Sequence, residues 1–179
     1  MSDDFVMLDI RRQIMRDAID PAKRPRHVQA SYGLAAGTQV MTIEGPVAVE
    51  DITPGDVLVT TGSTGNGMRG VVLNTRHHFM VSRHVSAEHA RPVKIRAGAL
   101  GPDVPERDLR LSPTHEINLD GSWYPAKLLV NGTTIVHEIF SGPMVYHQIE
   151  LERPDIILAE NTPVASAQPV SSKTQSGIA

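Results

Sequence analysis

The chain has 179 residues, 40% hydrophobic and 21% charged, with Lys+Arg 17 against Asp+Glu 20 for a net charge of −3, which is the make-up of one ordinary folded domain. The near-neutral balance and an aromatic content of 4% argue against a nucleic-acid partner, which would call for a basic field or base-stacking platforms. Cysteine is absent, which excludes disulfides, zinc–cysteine centres and a thiol nucleophile.

In chain order, residues 1–32 come first. Met7, Ile10, Ile14 and Ala18 recur at the helical period, with Leu8, Met15 and Ile19 as an adjacent stripe. Ser2, Asp3 and Asp4 suit a helix N-terminus, and Asp20-Pro21 suits its end. The reading is one helix over residues 5–19 with a broad apolar face, which must dock either on its own domain or on a protein partner. A basic linker, Lys23-Arg24-Pro25-Arg26-His27, follows. The acidic start does not resemble a secretory signal. No stretch approaches the ~20 apolar residues that cross a bilayer. A cytoplasmic protein without a membrane span is expected.

Residues 33–161 read as β throughout. Candidate strands are Gln39–Glu44, Val47–Glu50, Val57–Thr61, Gly70–Leu73, Phe79–Val85, Val93–Arg96, Leu109–Leu111, Glu116–Leu119, Thr134–Phe140, Met144–Leu151 and Ile156–Ala159. Turn-forming runs such as Glu44-Gly45-Pro46, Pro54-Gly55-Asp56, Asp120-Gly121 and Asn131-Gly132 separate them. Many short strands between such turns predict an all-β barrel or sandwich. Residues 162–179, small and polar without a period, are expected to be a disordered tail.

Four motifs bear on chemistry. Gly65-Asn66-Gly67-Met68-Arg69-Gly70 spells GxGxxG, but a dinucleotide site needs a helix to begin there. The following Val71-Val72-Leu73 favours a strand, so a Gly-rich hairpin loop is expected. Gly62 to Gly67 has the spacing of a phosphate loop, but Met68 and Arg69 stand where Lys and Ser/Thr are required. His77, His78, His84 and His89 cluster in sequence. On one strand, however, His78 and His84 lie ~20 Å apart, too far for a shared metal, and neither metal nor cofactor is expected. Ser112-Pro113-Thr114-His115 places a hydroxyl three residues before an imidazole, a spacing that lets the one orient the other.

A longer series gives that pair its context. Gly33-Leu34-Ala35-Ala36-Gly37-Thr38-Gln39-Val40 leads to Val47-Ala48-Val49-Glu50-Asp51-Ile52 and Pro54-Gly55-Asp56-Val57. Pro92-Val93-Lys94-Ile95-Arg96-Ala97-Gly98-Ala99-Leu100-Gly101, Leu111-Ser112-Pro113-Thr114-His115 and Pro125-Ala126-Lys127-Leu128-Leu129-Val130-Asn131-Gly132 follow. In order and spacing this series resembles the Hint (Hedgehog/intein) domain family, in its bacterial stand-alone branch, from Gly33 to about Pro163. The resemblance implies a twisted all-β domain whose activity is self-processing. A first-position Cys attacks the preceding carbonyl, and a His in a Thr-x-x-His element protonates the leaving amide nitrogen.

This chain departs from that pattern at the chemistry. Gly33 holds the nucleophile's position, Ser112 replaces Thr, His115 keeps the His, and Pro154 stands where a second His is expected. Asn161 stands where Gly is usual. Ser31 falls two residues before the junction, and Thr38 belongs to a structural turn. The resemblance therefore implies a degenerate Hint domain, with His115, Ser112 and Gly33 as vestigial catalytic positions, serving as a binding or structural module. The alternative is residual self-cleavage at Tyr32–Gly33 with His115 as the base.

Overall fold

A computed structural model describes residues 33–62, 65–82, 91–139 and 141–167. The strands are β1 (Leu34–Ala35), β2 (Gln39–Thr42), β3 (Gly45–Ala48), β4 (Val57–Gly62), β5 (Gly65–Val81), β6 (Val93–Ile95), β7 (Leu109–Leu111), β8 (Glu116–Leu119), β9 (Ser122–Pro125), β10 (Ile135–His137), β11 (Gly142–Leu151), β12 (Ile156–Ala159) and β13 (Thr162–Ala165). Two 3-10 turns, Val49–Asp51 and Ala126–Leu129, interrupt them. Among the described residues no helix is long and apolar enough to cross a membrane. The expected helix over 5–19 and the basic linker lie outside the described residues.

Alternation sets the layers. In β2, β6, β7, β12 and β13, and over the first four residues of β4, every second residue is buried, the period of a strand with one face on a core. Those inward residues, among them Val40, Leu58, Val93, Ile95, Leu109, Leu111, Ile117, Ile157 and Val164, form one apolar cluster. The strand order is β10-β6-β7-β1-β11-β5-β4-β2-β12-β13-β8-β9, with β3 beside β2.

Strand β5, 17 residues long, holds the two halves together. Its first part pairs with β4 from Val57↔Gly70 to Gly62↔Gly65, and its second part pairs with β11 from Leu73↔Glu150 to Val81↔Gly142. The register jumps at Val72, since Leu151 faces Val71 and Glu150 faces Leu73. This is a bulge, and it exchanges the inward and outward sides of the strand. Val71 is buried before it, Val72 and Leu73 are exposed, and the Asn74 amide turns inward after it, to the Val49 and Ile52 carbonyls at 2.7 and 2.9 Å.

Several expectations are corrected. Gly70–Leu73 and Phe79–Val85 are not separate strands, because β4 and β11 in succession supply partners to one continuous strand. Gly65–Gly70 is strand rather than loop. Its glycines allow close approach: a Cβ at Gly67 would lie 3.1 Å from Thr60 Oγ1, and one at Gly70 would lie 3.1 Å from Glu152 Oε1. Val49–Glu50 leave the strand for a 3-10 turn. β1 and β9 were not expected; β9 is the return strand of the Asp120-Gly121 hairpin. Thr162 does not begin a tail, because Thr162 and Val164 are fully buried in β13. The reversal at Glu160-Asn161, both at positive φ (46° and 62°), makes the β12–β13 hairpin, and residues 168–179 lie outside the described residues.

Glu160 does more than turn the chain. Its carboxylate, 5% exposed, accepts from Gln39 N at 2.7 Å and from Arg107 Nε and Nη2 at 2.9 Å each. Its carbonyl accepts from Glu106 N at 2.8 Å. One residue thus fastens the 97–108 loop to β2 and to the β12–β13 turn. Glu160→Ala leaves the Gln39 N–H and the guanidinium without their acceptor, and urea unfolding should show a loss of about 2 kcal/mol. A loss below ~0.5 kcal/mol, the level of an ordinary surface change, would mean that the loop is held by other contacts.

Candidate functional site

The Ser112–His115 turn follows β7. Its first residue meets Gly33, 79 positions away in sequence. Gly33 N donates to Ser112 Oγ at 3.2 Å, and Ser112 N donates to Gly33 O at 3.0 Å, so one serine clasps both polar groups of the Gly33 backbone. Leu34 then enters between Leu111 of β7 and His147 of β11. On that second side the fit excludes any side chain. A Cβ on Gly33 would overlap the His147 carbonyl oxygen and lie 2.7 Å from its carbon. With φ at +96° the position also favours glycine conformationally.

His115 hangs one turn beyond. Its N–H donates to Ser112 O at 3.1 Å, and its carbonyl accepts from Ala126 N at 2.9 Å. The imidazole is 4% exposed, and neither ring nitrogen has a hydrogen-bond partner among the described residues. Burial alone pushes it down to about 4, so it is neutral at pH 7. A neutral, buried imidazole can donate one N–H but carries no proton to give to a departing amine. The structure therefore joins Gly33 to Ser112 and Ser112 to His115.

Pro154 is exposed in the β11–β12 connection, beside Asp155, which pairs with Arg69 of β5 at 3.2 Å. Thr38 fills a turn: its hydroxyl donates to Ala35 O at 2.7 Å and its carbonyl accepts from Val49 N at 2.8 Å. His77 and His78 are consecutive on β5 and face opposite sides, while His84, His89 and Ser31 lie outside the described residues. Among the described residues no group of three or more ligating side chains is placed to hold a metal.

A second imidazole borders Gly33 that the sequence pattern did not single out. His147, 2% exposed, contacts Asn74 Oδ1 through Nδ1 at 3.1 Å. Both Asn74 contacts to the Val49 and Ile52 carbonyls use its amide nitrogen. Oδ1 is therefore the acceptor, Nδ1 carries the hydrogen, and Nε2 is the free base of the neutral ring. Burial first, then the Arg76 charge, holds His147 below its ordinary value, against a pull from Glu50. Glu50 is itself lowered: burial, the largest single influence, opposes this, but the Gly37 N–H at 2.7 Å, its own backbone N–H and the nearby His147 and Arg76 together outweigh it. Only the β1–β11 register brings His147 to Gly33.

Two measurements follow. Ser112→Ala leaves the buried Gly33 N–H unanswered and should cost ~1–3 kcal/mol in chemical denaturation; no loss would mean that this bond is not formed in solution. His115, with its ring lowered from 6.5 to about 4, makes stability depend on pH. The contribution is fully present above about pH 6.5 and falls with pH, because only the unfolded chain binds the proton, until the folded ring titrates near 4. Between pH 7 and 5 the loss should be about 2 kcal/mol. His115→Leu should flatten that slope, leaving the smaller part that His147 adds in the same direction.

Likeness to known proteins bears on the fold that carries this site. The family described as "Hint domain" matches residues 32–171. Among solved structures, the chain is similar to a bacterial intein-like domain from Clostridium thermocellum, at 14% identity and a TM-score of 0.54, covering 75% of this chain and 98% of that one. It is similar to a DnaB intein from Synechocystis sp. PCC 6803, at 9% identity and a TM-score of 0.54, over 77% and 100% of the two chains. The Ssp DnaB mini-intein variant M86 is similar at 10% identity and a TM-score of 0.55, over 77% and 96%. At such identities the likeness is one of fold. No curated protein sequence matches the chain. With the family match covering most of its length and an all-β fold shared with inteins, the chain belongs to the Hint domain family.

Proposed function

We propose that this Hint domain has lost self-processing and acts as a binding or structural module, with residues 1–32 as an N-terminal segment appended to it. One observation carries the reading: at Gly33, where the family's nucleophile is expected, there is no reactive atom and no room for one. Transfer of an acyl group needs an atom to receive it. The surroundings support the same reading. The hydroxyl in contact with it, Ser112 Oγ, accepts from the Gly33 N–H rather than supplying a proton to that nitrogen. His115 is neutral and buried, a poor acid for an amide leaving group. Ser112, His115 and Gly33 are then structural remnants, and the fold persists without its reaction.

The test is intact mass. The purified full chain should remain one species of 19.5 kDa through long incubation, with or without a thiol, because thiol cleavage requires a thioester. Gly33→Cys should not cleave either. It should lose at least ~1–3 kcal/mol of stability, since the new Cβ drives into the β11 backbone. Release of residues 1–32 from the unmodified chain would overturn the proposal and establish residual self-cleavage at Tyr32–Gly33.

A further inference from the structure

The outer face of the β2–β3–β4–β5 sheet is apolar and open. Residues directly opposite on antiparallel strands share a face. Pairing of Met41 with Pro46, of Val59 with Met68 and of Val57 with Gly70 therefore defines the side turned away from Leu58 and Val40. Ile43 joins it, since its N–H donates to Val57 O at 3.1 Å. Ile43 is 55% exposed, Met68 62% and the bulged Val72 49%; Met41, Val57 and Val59 are half-buried. Stepping one residue from the Ala159↔Val40 and Ile157↔Thr60 pairs brings Leu158 alongside. The remaining positions on this side of β2 to β5 are Gln39, Ala48, Thr61, Asn66 and Gly70. No charged residue of these strands interrupts the face; a carboxylate beside it is that of Glu152, whose Oε1 would lie 3.1 Å from a Cβ on Gly70 at the edge. A mainly apolar surface spread over four strands is the kind that a second layer covers.

We infer that its occupant is the chain's own N-terminal segment, residues 5–19, docked as an amphipathic helix. That segment repeats apolar residues at the helical period, with Met7, Ile10 and Ile14 on one side and Asp9, Gln13 and Arg16 on the other. The two surfaces match in chemistry: a sheet face that is apolar apart from Glu152 beside Gly70 at its edge, and an apolar helical stripe. The tether also fits. Leu34 lies level with Arg76 through His147. Val72 and Met68 are therefore two strand spacings across and four to eight residues along from it, roughly 15–30 Å. The linker 20–32, which ends at Gly33, spans up to ~40 Å when extended. It reaches the face yet keeps the helix near it, at an effective concentration on the order of millimolar. Docking needs neither Gly33 nor His115 and is independent of the fate of the self-processing reaction.

The absence of cysteine in the chain makes the test direct. Cysteine pairs are introduced into the full chain: Ile14→Cys with Met68→Cys, Ile14→Cys with Ile43→Cys, and, as the polar-side control, Arg16→Cys with Met68→Cys. Met68 and Ile43 are exposed, so these changes spare the core. Mild oxidation in dilute solution is followed by non-reducing intact mass. An intrachain disulfide at 14–68 or 14–43, forming about tenfold faster than the 16–68 control, is the expected result. Equal rates for positions 14 and 16 would show tethered collision without docking. Disulfide-linked dimers would show that a second copy covers the face, and no disulfide in either Ile14 pair would show that the helix sits elsewhere. Each of these three outcomes overturns the inference.

Discussion

The Gly33 backbone has no slack on either side. Ser112 takes up its N–H and its carbonyl, and the β11 backbone at His147 stands where a side chain would begin. This contact joins β1 to β7 on one side and to β11 on the other. A nucleophile at this point would need β11 to lie farther out. The same close approach that seals the sheet leaves no room for a Cβ, so the glycine and the tightness of packing are one fact seen from two directions.

Burial of the two imidazoles next to this contact has different consequences. His147 is oriented by Asn74, which in turn ties β5 to the Val49–Ile52 turn. Its cost of desolvation is offset by a hydrogen bond that also fixes its tautomer. His115 has no such partner among the described residues, so its burial rests on staying neutral. A charged His115 would be expensive to bury. The environment that makes it a poor proton donor to an amide is thus also the one that lets it remain inside a folded domain.

The bulge at Val72 is what allows a single strand to serve both halves. Before it β5 turns Val71 to the core, and after it the inward position passes to Asn74. Without that exchange of sides, one of the two partners, β4 or β11, would meet the wrong face of the strand. Glu160 performs a comparable join at the other end, where a buried carboxylate gathers β2, the loop before β7 and the β12–β13 turn.

Much of the β architecture was legible in the chain, because alternation and turn chemistry are local. Leu109–Leu111, Glu116–Leu119 and Ile156–Ala159 stand where their pattern places them, and the family series from Gly33 onward named the fold. Local signals misled where pairing overrode them. The glycines of 65–70 look like a loop and form a strand because β4 lies close beside them. Thr162–Ala165 look like a polar tail and are buried because a reversal at two positive-φ residues returns them to the sheet. At the site, the sequence showed that Gly33 has no nucleophile, since a missing atom is a property of the residue itself. That a Cβ at Gly33 would meet the β11 backbone, and that His147 borders this position, were decided only by the tertiary structure. Both depend on the distance between backbones far apart in the chain, and that distance is set by strand register.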